Sequence, residues 1–120
     1  MARVLIIEDD EKSRRLLSDV LTYHGYEILQ TDRGEEGVSM LASSEVSLVL
    51  MDIQLPGISG FEALAKIRSS ESLKRTKVIA VTASVMDHDR RRILEAGFDG
   101  YVPKPVNLEN LMGAIREMAG

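Results

Sequence analysis

The chain of 120 residues carries 15 Lys and Arg against 19 Asp and Glu, a formal net charge of -4, with 44% hydrophobic residues and no cysteine. That length accommodates one domain with a sizeable core and leaves no room for a second. The composition excludes a disulfide framework, a thiolate nucleophile, a Cys-based zinc site and the basic footprint of a nucleic-acid binder, and no apolar stretch reaches the ~20 residues that cross a bilayer. Met1, Ala2 and Arg3 lead straight into a short apolar run without the long h-region of a signal peptide, so a cytoplasmic location is expected. Arg90, Arg91 and Arg92 form a local basic cluster that reads as a solvated helix face.

Val4 to Ile7 is a first apolar run, followed at once by Glu8, Asp9 and Asp10. From Glu11 to His24, Leu16, Leu17, Val20 and Leu21 recur at helical spacing, with Lys12, Arg14, Arg15 and Asp19 on the other face and Gly25 as the stop. Tyr26 to Gln30 reads as a strand. Asp32 with Glu35 resembles a capping box that starts a helix through Val38, Leu41 and Ala42. Leu48 to Met51 shows no polar alternation, the pattern of a strand buried on both faces of a parallel sheet, and it ends in Asp52 before Pro56 and Gly57 turn the chain. Ser59 caps a helix carrying Phe61, Leu64, Ala65 and Ile67, which fades into the polar segment Ser69 to Thr76. Val78 to Val81 is a fourth run ending in Thr82. Met86 to Ala96 reads as a helix closed by Gly97, Tyr101 and Val102 as a short strand, and Asn107 as the cap of a last helix with Leu108, Leu111, Met112 and Ile115 on one face.

Strict alternation of strand and helix predicts a parallel sheet with right-handed crossovers and helices on both faces. The fold class expected is α/β, a flavodoxin-like doubly wound (βα)5 domain with strand order 2-1-3-4-5. In such a sheet the residues just after each strand gather along one edge. The first strand brings Glu8 and Asp9, the third Asp52, the fourth Thr82, and Lys104 follows the fifth. Taken singly, each has a plain structural explanation, as a helix cap, a turn residue or a solvated lysine. Their convergence from four strand ends is what those explanations do not provide. Crowded carboxylates call for a cation, and carboxylate oxygens with no His or Cys at the rim suit magnesium rather than zinc. A carboxylate beside such an ion can attack phosphorus and form an acyl phosphate, with Lys104 and the Thr82 hydroxyl placed for the phosphoryl oxygens.

This set, carried by VLIIEDD, LMDIQLPGISG, VIAVTA and YVPKP, resembles the receiver domain of two-component response regulators over the whole chain, residues 1–120. Among these, with no attached output domain, the strings are most similar to the DivK-type single-domain regulators. The resemblance implies that Asp52 is the phosphoacceptor, that Glu8, Asp9, Asp52 and the backbone carbonyl of Gln54 hold Mg2+, and that Thr82 and Lys104 bind the phosphoryl group. It further implies that Tyr101 is an aromatic switch coupled to Thr82, and that Gln54 and Ser84 tune the lifetime of the acyl phosphate. The Lys104–Pro105 bond is expected to be cis. The partners implied are a sensor histidine kinase or histidine phosphotransfer protein and a downstream protein target that docks near Val85, Met86, Tyr101 and Pro103. No nucleic acid, no membrane and a monomer or weak dimer are expected.

The chain departs from the family pattern in three places. Glu8 stands where Asp is frequent, and its longer side chain implies contact through a metal-bound water. Gln54 and Ser84 occupy the tuning positions, and Pro103 restricts the loop before Lys104. The implied role is a signalling switch with only self-directed phosphotransfer and dephosphorylation. The enzyme alternative is a Mg-dependent aspartyl-phosphate phosphohydrolase of the haloacid-dehalogenase type, but that family wants a second Asp two residues on, where this chain has Gln54. A flavin mononucleotide carrier would meet repulsion from the EDD loop, and a pseudo-receiver binding module would not need the complete acid, threonine and lysine set. His24 and His88 are assigned no catalytic role.

Overall fold

The computed structural model describes residues 2–83 and 87–119. Ser84, Val85 and Met86, expected to tune the acyl phosphate or to line the partner face, lie outside the described residues, as does the side chain of His88. The elements alternate as β1 (Arg3–Ile7), α1 (Glu11–Tyr23), β2 (Glu27–Thr31), α2 (Gly34–Ser43), β3 (Leu48–Asp52), α3 (Gly60–Ser69), β4 (Lys77–Thr82), α4 (Asp87–Ala96), β5 (Gly100–Pro103) and α5 (Leu108–Ala119). All neighbouring strands are parallel, in the order β2-β1-β3-β4-β5, as the alternation predicted.

The unbroken apolar runs follow from a sheet covered twice. Successive strand residues point to opposite faces, so Leu5, Ile7, Val49, Met51, Val78 and Ala80 pack with Leu41, Leu64, Ile67 and Ile93 from α2, α3 and α4. Their alternates Val4, Ile6, Leu48, Leu50, Ile79 and Val81 pack with Leu17 and Leu21 of α1 and Leu111 and Ile115 of α5. Every residue of β3 is buried. Burial of each large aliphatic side chain is worth roughly 1.5–3 kcal/mol, so β3 is held from both sides and its last residue, Asp52, is set rigidly at the edge. Among the described residues, no helix is long and apolar enough to cross a membrane.

Several local expectations differ from the structure. Leu16 and Leu108, read as part of apolar stripes, are each 52% exposed, because each stripe is wider than the groove it fills. In α3 the buried alanine is Ala63, and Ala65 faces solvent. Asp32 and Glu35 form no capping box: α2 starts after Arg33 without a side-chain cap, and Glu35 has another partner. The box forms instead at Ser59 and Glu62 on α3. Asn107 caps α5 through Asn110 N, as expected. The Lys104–Pro105 bond is cis.

Candidate functional site

Asp52 is the last residue of β3 and lies in register with Val81, one position before Thr82 of β4. Across the other side of β3, Ile7 pairs with Met51, which puts Glu8 beside Asp52. Both carboxylates are sunk into the sheet edge: Glu8 is 1% exposed and Asp52 6%. Asp9, the next residue, is exposed, yet one oxygen each of Glu8, Asp9 and Asp52 lies within 4.8 Å of the others. The crowding predicted from strand order is therefore real.

Lys104 answers part of that charge. Its Nζ stands 2.8 Å from Glu8 Oε1 and 3.0 Å from Asp52 Oδ2, and its backbone N–H donates to the Thr82 carbonyl at 2.7 Å. The β4–β5 pairing, with Thr82 opposite Pro103, delivers Lys104 to this position. Burial disfavours the lysine's charge, but its contacts with Glu8 and Asp52 outweigh that and hold the ammonium above the ordinary lysine range. Burial, helped by the adjoining Asp52, pushes the Glu8 carboxyl up to about 7, with Lys104 and the Asp10 amide opposing the shift. A single lysine thus leaves the acidic pair incompletely neutralised.

Two loops hold the acidic side of the site. In the first, between β1 and α1, Asp10 N donates to Glu8 Oε2 at 3.1 Å, and Asp10 caps α1 by accepting from Ser13 N at 2.9 Å. That hydrogen bonding lowers the Asp10 pKa. The Glu8 N–H donates to the Thr31 carbonyl at 3.0 Å, and Arg14 Nη1 donates to the Glu8 carbonyl at 2.9 Å. In the second loop, between β3 and α3, Gln54 N donates to Asp52 Oδ1 at 3.0 Å, which leaves the other carboxylate oxygen to Lys104. Gly60 lets α3 start directly under Asp52, since a Cβ there would stand 2.6 Å from the Asp52 carbonyl oxygen.

The structure therefore brings together Glu8, Asp9, Asp52, Thr82 and Lys104. Thr82 is 5% exposed. The Gln54 side chain points to solvent while its amide holds Asp52. Tyr101 lies apart on β5, half-buried, with the Arg90 guanidinium 5.5 Å from its ring centre. The basic cluster on α4 is more than a solvated face, because Arg92 also stacks over Phe61 at 4.3 Å. His24 is remote from the edge, its Nδ1 2.9 Å from the Val20 carbonyl oxygen. Arg14 was missed: helical periodicity places it on the polar face of α1, and nothing local signals that it reaches back to a strand-end carbonyl.

The donor set fits a hard divalent cation. Among the described residues, carboxylate oxygens from Glu8, Asp9 and Asp52 converge without a competing thiolate or imidazole, and the buried Glu8 and Asp52 share the single ammonium of Lys104.

Comparison with known proteins agrees with this geometry. A family model described as the response regulator receiver domain matches residues 4–116. The chain belongs to that family. It is 36% identical over 117 residues to the polar-differentiation response regulator DivK of Brucella ovis, a match spanning 98% of this chain and 95% of that protein. The receiver domain of the sensor histidine kinase PA1611 from Pseudomonas aeruginosa PAO1 is 28% identical, with a TM-score of 0.91 and coverage of 99% and 98% of the two chains. That receiver domain has a magnesium ion coordinated in its active site cleft. The chemotaxis response regulator CheY4 of Vibrio cholerae shares the fold, with a TM-score of 0.92 at 24% identity and coverage of 98% of each chain. Receiver domains of this kind are components of two-component signalling.

Proposed function

We propose that this receiver domain is a phosphorylation-dependent switch in which Asp52 accepts a phosphoryl group from a phosphohistidine of a sensor histidine kinase or phosphotransfer protein. The observation that carries this reading is the buried Asp52 carboxylate held by Lys104 at 3.0 Å beside Glu8 and Asp9. An oxygen of Asp52 attacks phosphorus, the P–N bond to the donor imidazole breaks, and the imidazole keeps the electron pair and takes up a proton. Lys104 and the Thr82 hydroxyl receive oxygens of the transferred group, so charge and hydrogen bonding are in place before the reaction starts. The Gln54 amide fixes the orientation of the Asp52 carboxylate. Magnesium, held by Glu8, Asp9, Asp52 and the Gln54 carbonyl, would neutralise charge on the transferring phosphoryl group.

Once phosphorylated, Asp52 no longer offers the same carboxylate to Lys104. The fifth strand, which follows Thr82 in register and carries Tyr101, is the path by which that change reaches the partner-binding surface. Tyr101 and Pro103 lie on this surface, where a downstream protein binds according to phosphorylation state. The domain acts as a signal carrier in the cytoplasm, and no direct contact with nucleic acid or membrane is required. Its catalysis is confined to its own phosphorylation and dephosphorylation. The test is incubation with a small acyl phosphate, followed by intact mass. A base-labile phosphoryl adduct is expected with magnesium and not with chelator, and Asp52→Asn should gain none. An adduct of equal yield in Asp52→Asn would refute the assignment.

A further inference from the structure

The loop from Asp52 to Gly60 carries the Gln54 carbonyl, and its outer turn is held from another element. Glu35, in the first turn of α2, accepts a hydrogen bond from Ile58 N at 3.1 Å through its Oε1. Gly57, with φ +77°, makes the approach possible: a Cβ there would stand 2.9 and 3.0 Å from the two Glu35 carboxylate oxygens. Gly34 is fitted in the same way, since a Cβ on it would lie 3.0 Å from Ile58 Cγ1. The start of α2 is thus seated on the turn Gly57–Ile58 by one charge-assisted hydrogen bond and two omitted side chains. At its base the loop closes on itself, with Gly60 N donating to the Ile53 carbonyl at 2.8 Å.

We propose that Glu35 is a positioning residue for the phosphoacceptor site, clamping the outer turn of the β3–α3 loop so that Gln54 presents its carbonyl and amide at the edge beside Asp52. This rests on the reading of Asp52 as phosphoacceptor and of the Gln54 carbonyl as a metal ligand. Glu35 touches neither residue and acts through the loop backbone. A charge in the first turn of α2 also favours the helix dipole, but Glu36 occupies that same turn with no side-chain hydrogen bond or ion pair among the described residues. Glu36 therefore serves as the control that carries the dipole effect without the clamp.

The experiment compares wild type, Glu35→Ala, Glu35→Gln and Glu36→Ala as full chains. Magnesium affinity is read by titration calorimetry, the Ile58 amide by hydrogen exchange, and adduct formation by mass with acetyl phosphate. Glu35→Ala should weaken magnesium and slow adduct formation by about three- to tenfold, the range for one solvent-exposed hydrogen bond, and it should speed exchange at Ile58. Glu35→Gln retains an acceptor for Ile58 N and should stay within about twofold of wild type. Glu36→Ala should match wild type in all three measurements. Wild-type magnesium affinity and Ile58 exchange in Glu35→Ala would overturn the proposal, as would the same losses in Glu36→Ala. If wild type itself takes no phosphoryl group, the functional reading fails, while the magnesium and exchange measurements still decide the role of Glu35.

Discussion

Replacing Lys104 by Met removes the one cation among the described residues that touches both Glu8 and Asp52, and its cost should depend on pH in a defined direction. The ammonium stands 2.8 and 3.0 Å from the two carboxylates, with 22% of its side chain exposed. Breaking a fully buried pair costs ~3–5 kcal/mol, so this partly open one should cost about 1–3 kcal/mol in metal-free protein at pH 8. In wild type the folded protein keeps a proton on Glu8 from its ordinary value of 4.5 up to about 7, so this group favours the fold less as pH rises through that window. Lys104 opposes the rise, and without it the Glu8 carboxyl holds its proton to still higher pH. The folded variant then binds more protons than folded wild type above pH about 6, and by linkage the destabilisation grows with pH, by ~1.4 kcal/mol for each unit by which the Glu8 pKa climbs. Urea denaturation of both proteins with chelator at pH 6 and pH 8 measures this. A penalty that is equal at the two values, or larger at pH 6, would refute the electrostatic account of the site.

Two further outcomes follow from the same structure. Magnesium binding to wild type should weaken about tenfold between pH 8 and pH 6, because the proton on Glu8 competes with the ion as pH falls through about 7; calorimetry at the two values checks it, and a flat profile would contradict it. Arg68 donates to the carbonyls of Gly97, Lys74 and Thr76 and to Asp99, at 2.7–3.1 Å. Arg68→Met should therefore cost about 2–4 kcal/mol in denaturant, with adduct formation per folded molecule unchanged because none of these partners is at the Asp52 edge.

What the sequence shows and what it hides divide along a physical line. Strand-end residues are legible because a parallel sheet puts every carboxyl end on one edge, so Glu8, Asp52, Thr82 and Lys104 could be placed together from alternation alone. The unbroken run Leu48–Met51 likewise announced burial on both faces. Long side chains that reach across elements leave no such periodic trace. Arg14 looks like a solvated helix residue until α1 is packed on the sheet, where it meets the Glu8 carbonyl. Glu35 fits the capping-box spacing with Asp32, but the competing donor at Ile58 N wins because Gly57 leaves it open. Arg68 falls where helical periodicity fades, and its role as the tie between α3, β4 and the turn before β5 depends wholly on tertiary contacts. Leu16 and Leu108 err the other way, since a hydrophobic stripe does not state how wide its groove is.

The central claim, that Asp52 is the acceptor, is tested most directly by locating the modification. Protein treated with a small acyl phosphate and magnesium, then reduced with hydride and digested, converts an aspartyl phosphate into the corresponding alcohol at the modified residue alone. The account predicts that mass-spectrometric sequencing places that alcohol at position 52, and that omission of magnesium abolishes it. Its appearance at Asp9, Asp10 or Glu8 with Asp52 unmodified would contradict the account.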